Sequence, residues 1–232
     1  MNRDSLVRLV TNLFQWYTAP GMPERGIECF LWVELFRKEL KYPAKHIKVQ
    51  KDHDTKGKEK YRPDIILNSS NFAAFAVEIK KPDLSKSAFI NGRAQVAGYA
   101  KKLNMPYAII TDGVRWDVIA ISQNRNQYRH IWSHRLVKSS DLSADFLLAL
   151  RPKMIQRFFS YSDQIFGTIG YKKLHETAVK AAMSSKNLKN VLLDQPNASH
   201  PLMRLVNRQL QLYLLNKTEK PSGEWIAFKP IK

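Results

Sequence analysis

Between Tyr61 and Pro82 the chain reads Y-R-P-D-I-I-L, then a polar N-S-S-N, then F-A-A-F-A-V-E-I-K-K-P. Two apolar runs separated by a short polar turn form two adjacent strands. Charge appears only at one end of this pair. Asp64 stands at the mouth of the first strand, and Glu78 and Lys80 stand near the end of the second. Side chains alternate along a strand, so Glu78 and Lys80 share a face while Ile79 points into the core. With the loop centred near Asn71, antiparallel pairing sets Asp64 beside Glu78; a tighter two-residue turn shifts that register. Two neighbouring carboxylates repel each other unless a cation lies between them. Their hard oxygens suit Mg²⁺ or Mn²⁺. A lysine at such a place orients an attacking water and helps it lose a proton.

The flanking sequence predicts an α/β domain. A helical stripe runs from Asp4 to Tyr17 through Leu6, Leu9, Val10, Leu13 and Phe14, and a second helix is expected from Glu24 to Leu40. Ile47 to Gln50 begins a strand. After Pro82 a connection leads to a helix from Arg93 to Leu103, on which Gln95 and Tyr99, four apart, share one face. The run Tyr107–Thr111 suits a buried strand, so a right-handed β-α-β crossover is expected from Phe75 to Thr111. Further strands are expected after Asp112-Gly113 and after the Q-N-R-N turn. The fold class is therefore a mixed central sheet flanked by helices. Residues 1–138 read as the core domain. Residues 139–232 read as a mainly helical C-terminal region, with an apolar helix at Leu202–Leu215 and a tail that returns as a short strand or arm.

Charge narrows the partner. Lys and Arg outnumber Asp and Glu by 38 to 20, giving a net charge of +18. Such an excess points to nucleic acid. Lys51, Lys56, Lys58 and Lys60 lie in a charged loop just before the carboxylate stretch, and Arg62, Lys81, Lys86 and Arg93 lie close to it. These eight are the candidate phosphate contacts. Asp52-His53-Asp54 is a polar loop tip, and His175-Glu176 has no partner pattern. The single cysteine, Cys29, makes no internal disulfide and is expected to be buried; this usage fits the cytoplasm. The chain shows no apolar run of membrane-spanning length and no signal-peptide pattern.

Asp64 followed by Glu78-Ile79-Lys80 resembles the PD-(D/E)xK nuclease signature, with Arg62-Pro63-Asp64 supplying the "PD". Gln95-Val-Ala-Gly-Tyr99 resembles the Q-x-x-x-Y motif of the N-terminal nuclease domains of type I restriction enzyme motor (R) subunits. Ile110-Thr111-Asp112-Gly113-Val-Arg-Trp116 is similar to the T-N/D-G-x-x-W segment of those domains. The resemblance spans roughly Gly26 to Ile121.

This resemblance implies a restriction-endonuclease-like core and a Mg²⁺-dependent DNA endonuclease, with Mn²⁺ as substitute, in restriction or DNA defence and repair. It implies that Asp64, Glu78 and the Ile79 carbonyl hold the metal, that Lys80 positions water, and that Gln95 and Tyr99 assist. It also implies a metal-site glutamate on the preceding helix, where Glu28 matches best and Glu24 and Glu34 are alternatives. The motor subunits carry a helicase after this domain. This sequence has no Walker-A motif, so it acts alone, as a homodimer, or with a separate helicase or specificity subunit. Two other readings stay open: a non-cleaving nucleic-acid-binding subunit with the same fold, and an RNA-processing nuclease.

Overall fold

The structure is a computed structural model that describes residues 3–17, 24–49, 63–69, 72–81, 86–138, 141–163, 205 and 224–229. Its centre is a seven-stranded mixed sheet in the order β1-β2-β3-β4-β5-β6-β7. The strands are Ile47–Val49, Ile65–Ser69, Phe72–Ile79, Tyr107–Thr111, Arg115–Ile121, Gln127–Arg135 and Ile226–Ala227. Every pair is antiparallel except β3 and β4, which run parallel because helix α3 (Lys86–Lys102) carries the chain across between them.

Each face of the sheet carries its own core. On one face, Ile65, Leu67, Phe75, Val77, Ile79, Ile109, Trp116, Val118 and Trp132 pack under α1 (Arg3–Tyr17), α2 (Glu24–Cys29), α4 (Asp141–Ala149) and α5 (Ile155–Ser162). On the other, Ala76, Ala108, Ile110 and Ile119 pack under α3 through Phe89, Val96, Ala97 and Ala100. The alternation of these positions along each strand is the two-residue period expected from the sequence.

The second helix departs from expectation. Only Glu24–Cys29 is α-helical, and Phe30–Glu39 is a π-helix. Its buried residues are Phe30, Leu31, Leu35 and Phe36, followed by buried Leu40. Steps of four and five residues mix in this set (Leu31 to Leu35, Leu35 to Leu40), which suits the wider turn of an i→i+5 hydrogen-bonded helix. An α-helix would swing Leu35 and Leu40 away from the stripe set by Phe30. Cys29 is exposed and not buried, because Ile27, Phe30 and Leu31 take the inward positions around it.

Helix α3 begins at Lys86, well before the expected Arg93. Gly92, which falls in the expected connection before Arg93, lies within the helix and faces the sheet. A Cβ added there would come within 2.3 Å of Ile110 Cδ1 and 3.0 Å of Lys80 Cε. Glycine here permits close helix–sheet approach rather than a turn.

The division near residue 138 is not a division of the core. Phe146, Leu147, Ile155, Phe158, Phe159 and Leu205 belong to the same buried cluster as α1 and the central strands. The tail returns as β7, pairing Ile226 with Tyr128 and Ala227 with Gln127. Of the expected Leu202–Leu215 helix only Leu205 is described, and it is helical and buried.

Candidate active site

The β2–β3 hairpin sets the site. Ser69 pairs with Phe72, so two residues intervene at the tip. A turn that tight would carry Asp64 out of line with Glu78. The register shift between Leu67 and Ser69 restores it, with Leu67 opposite Phe75 and Ile65 opposite Val77. Continued one step beyond the last pair, this register sets Asp64 opposite Glu78. Asp64 Oδ2 accepts the backbone N–H of Ile79 at 2.6 Å, which anchors the carboxylate to the end of β3.

Glu78 lies on the α3 face, 4 % exposed. Its Oε1 accepts a hydrogen bond from Lys80 Nζ at 2.7 Å, and its Oε2 is also shut off from solvent. Lys80 Nζ donates a second hydrogen bond to Gln95 Oε1 on α3 at 2.9 Å. Gln95 Nε2 in turn donates to the Tyr99 hydroxyl at 2.8 Å. Glu78, Lys80, Gln95 and Tyr99 thus form one hydrogen-bonded chain from sheet to helix. Burial pushes the Tyr99 phenol above its usual pKa, against the opposing effect of the Gln95 hydrogen bond. Tyr99 stays protonated at neutral pH and serves as a fixed acceptor for the amide.

The T-D-G-x-x-W segment has a structural role beside this chain. Asp112 Oδ1 accepts the N–H groups of Val114 at 3.0 Å and Arg115 at 2.6 Å. Thr111 Oγ1 accepts Gly113 N–H at 2.9 Å, and the Trp116 indole donates to Gly113 O at 2.9 Å. Gly113 has φ +92°, a left-handed conformation that favours glycine, and a Cβ added there would come within 3.2 Å of Leu13 Cδ1 and 3.3 Å of Ile27 Cγ2. The turn so fixed presents Thr111 O to the backbone N–H of Lys80 at 2.8 Å. The motif therefore holds the Glu78-Ile79-Lys80 strand end in place.

The other sequence candidates divide. Arg93 does not face solvent. It is 4 % exposed, and its Nε and Nη2 donate to Asp117 Oδ2 at 2.8 and 2.6 Å. Its assignment as a phosphate contact is corrected accordingly: the guanidinium is committed to a buried carboxylate. Lys81 is exposed beside the site, and Lys86 opens α3. Lys51, Lys56, Lys58, Lys60 and Arg62 lie outside the described residues, as do the Asp52-His53-Asp54 tip and His175-Glu176. Glu34 pairs with Lys38 at 2.7 Å. Glu28 is half-buried on α2. Among the described residues no group of three or more His, Cys, Asp or Glu gathers, so Glu28 is not brought together with Asp64 and Glu78.

Sequence reasoning missed the Asp117 cluster. Ser133 Oγ donates to Asp117 Oδ1 at 2.6 Å, and His130 Nε2 lies 3.5 Å from the same oxygen. Burial pushes this carboxyl upward, but His130, Arg93 and Ser133 together hold it well below the usual carboxylate range. A lone Asp inside an apolar run, with its cation 24 positions earlier, was the only available signal.

The mixed sheet thus brings an aspartate, a glutamate and a lysine to the adjoining ends of two strands, beside a helix bearing Gln95 and Tyr99. Residues 31–133 match the family described as the type I restriction enzyme R protein N terminus (HSDR_N). The match overlaps the motif resemblance, and the matched span contains Asp64, Glu78, Lys80, Gln95 and Tyr99. No curated protein and no solved structure matches the chain. No helix among the described residues is long and apolar enough to cross a membrane.

Proposed function

We propose that the protein is a Mg²⁺-dependent DNA endonuclease of the restriction or DNA-defence type. The observation that carries this reading is the Lys80 ammonium held between Glu78 and Gln95, at the strand end that also anchors Asp64. The donor set fits a hard divalent cation: the Asp64 and Glu78 carboxylates and the Ile79 carbonyl offer only oxygen. When bound, Mg²⁺ or Mn²⁺ would polarise a phosphate oxygen and make water a stronger nucleophile.

The rest of the chemistry falls to this chain's own side chains. Lys80 holds the attacking water in line with phosphorus and stabilises the negative charge that develops on the phosphate. Gln95 fixes the lysine's direction, and Tyr99 fixes the amide. The net charge of +18 draws a polyanionic backbone to the site without reading its sequence. The family match supports DNA as the substrate class, and in this reading a helicase or specificity subunit, or a second copy, supplies target choice.

The test is incubation of purified protein with supercoiled plasmid, linear duplex, single-stranded DNA and RNA, with and without Mg²⁺ or Mn²⁺. Metal-dependent nicking or linearisation of plasmid, lost in Lys80→Met, supports the reading. Cleavage of RNA alone, or no cleavage of any substrate with either metal, overturns it.

A further inference from the structure

We infer that the β1–β2 end of the α3 face, which no helix among the described residues covers, is the track for the DNA backbone, with Lys48 as its phosphate contact beside the carboxylates. This rests on the nuclease reading above and extends it to a residue that no motif singled out. Lys48 pairs directly with Ile66, so the two side chains leave the same face of the sheet. Ile66 pairs with Ala76 and packs with the cluster under α3, which makes this the face of Glu78 and Lys80. Ile47, by contrast, packs into the opposite core.

Helix α3 packs chiefly on β3, β4 and β5. Toward β1 the cover thins: Ile66 and Asn68 are only half-buried, and Lys48 is exposed. Lys48 makes no ion pair among the described residues. Its register fixes its distance from the site. Asp64 lies two residues beyond Ile66 on the adjacent strand, so the Lys48 and Asp64 Cα atoms stand about 8 Å apart from strand rise and spacing. That separation is within the reach of a lysine side chain to a phosphate adjoining the scissile one. A backbone whose scissile phosphate sits at Asp64 and Glu78 therefore passes a nearby phosphate to Lys48. The opposite direction along the face is closed by α3 and by the buried Arg93–Asp117 pair.

Fluorescence anisotropy of a labelled DNA duplex across a salt series, in EDTA so that nothing is cut, tests this. Lys48→Ala should lower affinity and reduce the slope of log K against log salt by about 0.9, the share of one phosphate contact. Lys48→Arg should keep the wild-type slope. Arg157→Ala, an exposed cation on α5 across the sheet, should leave the slope unchanged. If wild type binds with a steep slope and Lys48→Ala matches it, or if Arg157→Ala loses as much, the track is wrong while the nuclease reading stands. If wild type shows no salt-dependent duplex binding, the nuclease reading fails and this inference fails with it.

Discussion

Lys80 Nζ donates to Gln95 Oε1 at 2.9 Å, joining the end of β3 to the middle of α3. The lysine also contacts Glu78, so its ammonium is held from two elements at once. Gln95→Leu leaves the Glu78 contact but frees the ammonium to swing. We expect cleavage to fall by about 10–100-fold, the range for residues that orient a metal site from outside it. DNA affinity should be unchanged. Single-turnover rates alongside binding curves check the split, and an equal loss in both would place Gln95 on the substrate instead.

Asp64 has two tasks that substitution can separate. It is a proposed metal ligand, and its Oδ2 accepts Ile79 N–H. Asp64→Ala should abolish cleavage and cost about 1–3 kcal/mol, because the amide N–H of a buried residue loses its acceptor. Asp64→Asn keeps an acceptor oxygen, so it should be nearly as stable as wild type yet equally inactive. Urea denaturation of the two variants decides this. A catalytically competent Asp64→Asn would remove the carboxylate from the mechanism.

Much of this site could be read from residue order alone, because strand alternation and the four-residue helical step are local rules. Glu78 with Lys80 and Gln95 with Tyr99 follow from them directly. The register that sets Asp64 opposite Glu78 does not, since it depends on a bulge between Leu67 and Ser69 that corrects a tight turn. The π-helix was present as the four- and five-residue steps from Leu31 through Leu35 to Leu40, but those steps drift off the stripe of an α-helical template. Arg93 looked like a DNA contact because its partner, Asp117, comes from a strand brought close only by the crossover.

Gly92 supplies a test of helix–sheet distance. Gly92→Ala puts a methyl 2.3 Å from Ile110 Cδ1, so one of them must move. Overpacking of this kind costs about 1–3 kcal/mol. The same methyl would stand 3.0 Å from Lys80 Cε, so cleavage should fall as well. Ile110→Val removes Cδ1. The double variant Gly92→Ala/Ile110→Val should regain part of the thermal stability lost in the single variant. Additive destabilisation would show that the clash is relieved elsewhere.

The Asp117 cluster predicts an acid limit to stability. The folded carboxyl titrates well below its unfolded value, because His130, Arg93 and Ser133 outweigh the effect of burial. A group with a depressed folded pKa binds its proton more readily when unfolded. Its contribution is therefore complete above the unfolded value of about 3.9 and is lost as pH falls toward the folded one. Asp117→Asn should destabilise by about 3–5 kcal/mol at neutral pH, since it leaves Arg93 charged and buried. Its urea midpoint should also fall less steeply than wild type below about pH 4. Equal slopes for the two proteins would mean that other carboxylates set the acid limit.

The last prediction concerns where the domain ends. Read from its motifs, the chain has every catalytic residue before residue 138, so a shorter protein ending there should keep its site. Packing argues otherwise. Phe146, Phe158 and Phe159 are fully buried, with Trp116 against Phe146, Trp132 against Phe158 and Phe75 against Phe159, at ring distances of 5.7, 4.9 and 5.3 Å. The Tyr42 hydroxyl donates to Leu150 O at 2.7 Å. Ending the chain at 138 strips these contacts from the part of the sheet face that α4 and α5 cover, on β3, β5 and β6. Each lost aromatic alone costs about 3–5 kcal/mol, against a total stability of about 5–15 kcal/mol for a domain. The truncated protein should therefore be unfolded by near-ultraviolet circular dichroism and should bind no Mn²⁺ by calorimetry. A truncated protein with a cooperative thermal transition and metal affinity equal to full length would show that α4 and α5 are an appendage and not part of the core.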